Sequence, residues 1–326
     1  MSEASQKPRR AIGLSSTARS VDQSEPRPES SNAGRTCGSG VLFPPVTAVQ
    51  STVFYDSDTR RRPLITEFQN FWRYRGLIRL LVVRDLTVRY KRSVLGVSWT
   101  ILNPMLTIAV LWIVFSNFFG RGSDLGVPYV VYLTAGILIA TYFSQGLIAS
   151  GSAIINSRGV LIKMYIPPEI FSLAAAVAAA THFLLSMIPL LGLQLILGAG
   201  IPWTIILVPI PLVFMLMLTT GIGLLIASAA VYFRDVLDIT RVVTQLLNYL
   251  IPTFWTLSLI ENSPKALLMV KVNPVYSYLV TFRAWVYGGE MPPAWNLAMM
   301  AGSGILALAL GVFVFSRNWR RVVVRL

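Results

Sequence analysis

Charged side chains are scarce in this sequence, 13% of 326 residues, while 54% are hydrophobic. Average soluble domains carry about a quarter charged residues, so an ordinary soluble enzyme or binding module is excluded. Acids are the scarcer sign, with 14 Asp and Glu against 28 Lys and Arg. Asp124, Glu261 and Glu290 are scattered, and Asp235 and Asp238 form the close acidic pair of the loops. A membrane enzyme such as a lipid-sugar transferase would call for clustered acids, histidines or a metal set, which this spacing does not supply. Cys37 is the single cysteine, so no internal disulfide can form. His182 is the single histidine, which rules out a multi-histidine metal site within one chain. Set in an apolar run, it is expected to be a packed or hydrogen-bonded helix residue rather than a proton relay. The chain also lacks a G-x-x-x-x-G-K-[ST] stretch, so it is not expected to bind ATP through that motif. No catalytic residue, metal ligand or resident cofactor is expected.

What is abundant is long apolar runs. A helix of about 20 apolar residues crosses a hydrocarbon core of about 30 Å, and six runs meet that measure: 97–119, 128–149, 170–198, 204–230, 242–260 and 295–315. The expected class is an all-α polytopic membrane protein. Cations set its orientation. Ten lie between Arg60 and Arg92, followed on the same side by Arg158, Lys163, Arg234, Arg241, Arg317, Arg320, Arg321 and Arg325. The opposite side holds Arg121, Lys265, Lys271 and Arg283. The excess marks the cytoplasmic face and places both termini there. The formal charge of +14 is thereby accounted for by topology and anionic headgroups, not nucleic acid.

Residues 1–60, rich in Ser, Pro, Arg and Gly, hold too little to bury and read as a disordered cytoplasmic tail. No apolar core suited to a signal peptide follows the initial basic residues. Residues 61–96 contain a helical pattern from Thr66 to Arg92. Tyr74, Leu77, Ile78, Leu81 and Val88 fall near one face, Arg73, Arg75, Arg79 and Arg84 flank it, and Asp85 interrupts it. With Trp72, Arg89 and Arg92 this predicts an amphipathic helix on the cytoplasmic membrane surface, its arginines reaching outward. A helix packed on a partner is the alternative.

Two cytoplasmic loops are the right size for short surface helices: 151–169, containing INSRGVLIKMYIPPEI, and 231–241, beginning VYFRDVLDI. Plain connectors are the alternative. Between spans five and six, 261–293 contains two apolar pieces too short or too charged to cross. They read as short helices entering and leaving the outer leaflet, broken at Asn273-Pro274. Such backbone needs cover from protein or water. Pro104, Pro189, Pro209, Pro211 and Pro252 fall within spans, where each permits a bend. Gly221, Gly223 and Ala227 are expected to form one small-residue face on span four.

Four stretches resemble the permease subunit of type-2 ABC exporters, in the branch that exports cell-surface polysaccharides (O-antigen, teichoic acid, galactan). They are VRDLTVRYKRSVLGVSWTILNPML, LIKMYIPPEI, VYFRDVLDI and NPVYSYLVTFRAWVYGG, and the resemblance runs from about Glu67 to the C-terminus. It departs at Ile166-Pro167-Pro168-Glu169, where that family often has Phe-Pro-Arg-Glu.

The resemblance implies a homodimer in a bacterial plasma (inner) membrane with a passage between protomers, driven by two copies of a separate ABC ATPase that carry the ATP and Mg. Residues 158–166, with Arg158, Leu161, Ile162, Lys163 and Tyr165, would form one coupling helix. Residues 232–238, with Tyr232, Arg234, Asp235 and Asp238, would form the second. The surface helix would also touch the ATPase, 261–293 with Asn273, Pro274 and Arg283 would be the outer gate, and spans one and five would line the passage. Aromatics on those spans, Trp99, Trp112, Phe115 and Phe119, then Tyr249, Phe254 and Trp255, could stack on the apolar faces of a (lipid-linked) polysaccharide, or form ordinary interfacial belts. The competing readings are a type-2 permease for a lipid or drug and a secondary transporter. The latter would keep ionisable groups near mid-membrane, where His182 is the one candidate.

Overall fold

The computed structural model describes residues 72–91, 96, 98–118, 128–161, 163, 166–198, 200–233, 235–260 and 262–325. By its contacts the chain divides into two units, Met1–Ser57 and Asp58–Leu326; every helix below belongs to the second. The expected tail, 1–60, lies outside the described residues. So do Arg92, Phe119, Ile162, Tyr165 and Arg234, and the side chains of Arg89, Trp112 and Phe115.

Among the described residues the chain is helical throughout, without a strand. The helices are α1 (Arg75–Tyr90), α2 (Ser98–Phe118), α3 (Tyr129–Asn156), α4 (Arg158–Leu161), α5 (Glu169–Ile196), α6 (Pro209–Ala230), α7 (Asp235–Leu250), α8 (Pro264–Val272), α9 (Pro274–Arg283) and α10 (Ala294–Arg325). Four segments are long and apolar enough to cross a membrane: Tyr129–Asn156, Glu169–Ile196, Trp203–Ala230 and Ala294–Asn318. They match the expected spans two, three, four and six, and they make this a multi-pass membrane protein. At 28 residues each, α3 and α5 rise about 42 Å, more than the hydrocarbon core requires.

Helix α3 is the centre, packed on α5, α6, α7 and α9. Its inner positions Val131, Ala135, Leu138 and Tyr142 join Phe183 of α5 and Phe282 of α9 in the core. The Phe183 ring stands 5.2 Å from Tyr142 and 5.4 Å from Phe282. Hydroxyls in these apolar helices donate to their own backbone four residues back, as Thr134 to Val130 O, Thr219 to Met215 O and Ser228 to Leu224 O. Each polar group is thereby satisfied without water.

The glycines of α6 do not make one face. Gly221 meets Ala307 and Gly311 of α10 backbone to backbone, while Gly223 lies against Ser150 of α3. Two residues apart on a helix is a turn of about 200°, so the small positions serve two neighbours, with Ala227 buried beside Ile154 and Phe315. The prolines also divide. Pro104 and Pro189 lie inside α2 and α5. Pro209 opens α6 and Pro211 follows in its first turn, where the missing N–H costs nothing.

Span five departs most from expectation. It is helical from Asp235 and stops at Leu250, sixteen residues in all. Residues 251–256 run without helix and a 3₁₀ turn follows at Leu257–Ile260. The stretch 242–260 is therefore not one rod, and Pro252 sits in the break rather than inside a helix.

Candidate functional site

The break after α7 leaves carbonyls without helical partners, and three side chains from other elements take them up. Arg283, at the end of α9, donates Nη1 to Pro252 O at 2.8 Å and Nη2 to Thr253 O at 3.4 Å. Nη2 also reaches the Tyr132 carbonyl at 3.1 Å. The Tyr132 phenol is shared between Pro252 O at 3.1 Å and Trp255 O at 2.8 Å, and the Tyr129 phenol donates to Phe254 O at 2.9 Å. All four carbonyls from 252 to 255 thus accept a side-chain hydrogen bond. The guanidinium carbon lies 3.6 Å from the centre of the Tyr132 ring, a cation–π contact. Gly136 makes this possible, since a Cβ there would stand 2.7 Å from Arg283 Nη2.

Arg283, grouped from sequence with the outer-face cations, is only 8% exposed, because its Nη1 and Nη2 donors supply what the unwound backbone lacks. Asn273 and Pro274, named with it from sequence, lie close by in the chain. Asn273 Oδ1 accepts from Val275 N and Nδ2 donates to Leu247 O near the end of α7, while Pro274 starts α9. After α9 a π-helical turn at Ala284–Gly288 ends in Gly289 at φ +68°. Gln194 and Thr204 donate to its Val286 and Trp285 carbonyls.

Beside the break, α3 and α7 bound an open cleft of about 330 Å³. Thr141, Ser144 and Gln145 line it from α3, and Gln245, Asn248 and Tyr249 from α7. Thr253 and Phe254 close one end. Asn248 Nδ2 donates to Ser144 Oγ and Gln245 Nε2 to the Tyr249 phenol. Among the described residues, Asn248 Oδ1 and the buried Thr253 Oγ1 have no hydrogen-bond partner. Tyr249 and Phe254, named from sequence as passage aromatics, meet in this cleft. Trp255 is half-buried in the break, and Trp99 is exposed at the start of α2. Sequence reading missed the polar members of the cleft. Their signal was there: Thr141, Ser144 and Gln145 recur at helical spacing on an otherwise apolar span.

At the other end of the bundle, Arg158 and Lys163 are exposed. The helix over them is one turn, Arg158–Leu161, shorter than the expected 158–166. Leu161 packs on the cluster of Ile154, Leu224, Ala227, Val312 and Phe315. In the second loop Tyr232 lies in a turn, whereas Asp235 and Asp238 already form the first turn of α7. No separate second helix stands between spans, because the helix begins at the acids that suit an N-terminus. Asp238 pairs with Arg241 one turn on.

Helix α1 packs on α5 through Ile78, Leu81 and Val82, with Val88 turned outward at 68% exposure. Arg79 and Arg84 are exposed, and the Arg75 guanidinium lies 5.4 Å from the Trp72 ring. Asp85, which interrupted the apolar pattern, stands 3.9 Å from Nε2 of the buried His182. The interruption is thus a polar contact between α1 and α5.

A family model described as "ABC-2 type transporter" matches residues 76–287, from α1 through the π-helical turn. The chain belongs to the ABC-2 type transporter family. Three curated relatives match this ABC-2 chain over most of their length. The O-antigen export system permease protein RfbA of Myxococcus xanthus is 28% identical over 252 residues, covering 77% of this chain and 96% of the relative. Two proteins of the same description from Klebsiella pneumoniae are 24% and 23% identical over 250 and 247 residues, covering 74% of this chain and 92% of each relative. The matched family range contains the loops 151–169 and 231–241, the cleft and the Arg283 contacts.

Proposed function

We propose that the chain is the permease subunit of an ATP-driven exporter that carries a polysaccharide, on a lipid anchor, across a bacterial inner membrane. The observation that carries this reading is the family match together with relatives described as O-antigen export permeases across nearly their whole length. The working unit is a homodimer with two copies of a separate ATPase subunit, which hold the ATP and Mg. Both termini face the cytoplasm, and six spans include α2 and the broken α7. The short helices α8 and α9 enter the outer leaflet and return as the outer gate. Tyr249 and Phe254, with Trp99 and Trp255, lie along the passage.

Force enters through the cytoplasmic end. The turn at Arg158–Leu161 with Lys163, and the segment Tyr232–Asp238, dock on the ATPase, and α1 rests on the membrane surface beside it. Leu161 transmits displacement into the ends of α3, α6 and α10, and Asp235 moves α7 directly because it is part of that helix. These contacts must differ between the nucleotide states of the partner for work to be transmitted.

The test is reconstitution of the chain with its ATPase in lipid vesicles, following lipid-linked glycan. ATP-dependent transfer is expected. Asp235→Ala and Arg234→Ala are expected to lower transport per ATP hydrolysed at least fivefold while both subunits remain associated. Unchanged coupling in both variants rejects the second coupling segment. ATP-dependent movement of lipid or drug without glycan rejects the substrate.

A further inference from the structure

We infer that the cleft between α3 and α7 is a slot that reads the hydroxyl groups of uncharged sugar residues as the glycan passes. This rests on the exporter reading and says which chemistry the passage recognises.

Its depth comes first. Thr141 lies twelve residues after the start of α3 and fifteen before its end, well inside the span. Thr141, Gln145, Gln245 and Tyr249 are nonetheless exposed. Setting amides and hydroxyls against hydrocarbon is unfavourable, so a mid-span face carrying several of them is not turned to lipid. It faces water, as a passage between two copies would provide.

The second observation is what the cleft leaves unmet. Thr253, which lines the cleft, is only 1% exposed, and among the described residues neither its Oγ1 nor Asn248 Oδ1 has a hydrogen-bond partner. A buried hydroxyl and an amide oxygen left unsatisfied beside a cleft call for a partner that water or a ligand can supply.

The third is the kind of lining. Its polar groups are amides and hydroxyls, each able to donate and accept, and none of its residues is charged. Vicinal sugar hydroxyls need this alternation of donor and acceptor, and the Tyr249 and Phe254 rings can take the C–H face of the ring. The nearest cation, Arg283, is committed to the Pro252, Thr253 and Tyr132 carbonyls, and Arg241 is paired with Asp238. The described lining of the cleft thus offers no charge to hold phosphate or carboxylate along the polymer. A volume of about 330 Å³ falls in the range of small-ligand clefts, about 300–1,000 Å³.

The experiment uses the full-length Cys37→Ser chain assembled with its ATPase in vesicles. Thr141→Cys and Gln145→Cys are exposed to a membrane-impermeant cationic thiosulfonate, with Leu184→Cys on the open face of α5 as the lipid-facing control. Both cleft cysteines are expected to react at least tenfold faster than the control. A neutral galacto-oligosaccharide is expected to slow them threefold or more, and a glycerol-phosphate oligomer of equal length is not. In transport, Gln245→Leu with Asn248→Leu is expected to raise the half-saturating concentration of neutral glycan at least fivefold. Rates equal to the control, which lipid or a covering second copy would give, overturn the slot. So does equal slowing by both oligomers, or an unchanged half-saturation. Failure of the parent complex to move any glycan would instead strike the exporter reading, while the labelling still reports on the slot.

Discussion

Arg283 shows how a single residue can hold an irregular stretch of backbone inside a membrane protein. Its guanidinium serves three carbonyls and stacks on Tyr132, which no other side chain can do from one position. Arg283→Met leaves those carbonyls short of donors. With hydrogen bonds to a charged group contributing about 1.5–3 kcal/mol each, the variant is expected to lose about 3 kcal/mol or more, read as a drop in thermal midpoint in detergent. Arg283→Lys keeps the charge but not the fork and should recover less than half of the loss. Gly136→Ala places its Cβ 2.7 Å from Nη2 and 2.9 Å from Thr253 Cγ2, so it should lower the midpoint although it adds only a methyl. Gly192→Ala on α5, with nothing within 4 Å, should leave the midpoint unchanged or raise it. An unaltered midpoint in Gly136→Ala would show that the break does not depend on the guanidinium's position.

At the scale of elements, the bundle is held by close approach rather than by a hydrophobic force, since lipid tails are as apolar as leucine. Helix α6 is clamped on two sides, Gly221 against α10 and Gly223 against α3. A Cβ at Gly311 would collide with the Gly221 backbone, and backbone cannot rotate away as a side chain can. Gly311→Ala is expected to cost about 1–3 kcal/mol and to make the C-terminal helix more accessible to protease. Gly302→Ala on the same helix, in open space, is the matched control and should behave as the parent. Equal protease sensitivity in the two variants would dismiss the clamp. Tyr278 adds a polar tie, its phenol within 2.9 Å of Met300 O on α10 and 3.2 Å of Phe214 O on α6, so α9 is fastened to both helices of the clamp.

Among the described residues, the helix of span five breaks after Leu250, and the cleft lies beside that break. Asp235 and Asn248 belong to one helix, so in the proposed coupling a displacement at Asp235 would reach the cleft along α7 without passing through a loop. The chain contains no G-x-x-x-x-G-K-[ST] stretch. Purified alone into lipid vesicles, it is expected to move no glycan against a gradient, and addition of the ATPase subunit with ATP is expected to start transport. Uphill movement by the permease alone would dismiss the mechanical coupling.

The all-helical class, four of the spans and the family were legible in the sequence, because a bilayer demands long apolar helices and local residue patterns report them directly. The polar recurrence of Thr141, Ser144 and Gln145 was also visible there, though not what it faces. Tertiary structure alone decided that Arg283 is buried, that Gly221 and Gly223 serve different neighbours, that Asp85 meets His182, and that span five stops at Leu250. Each of these depends on which groups from distant parts of the chain arrive at the same place. A pattern of apolar and charged residues states what must be hidden, but an unwound carbonyl in a membrane needs a donor. Only the packing of α3 and α9 around the break shows that Tyr129, Tyr132 and Arg283 supply it.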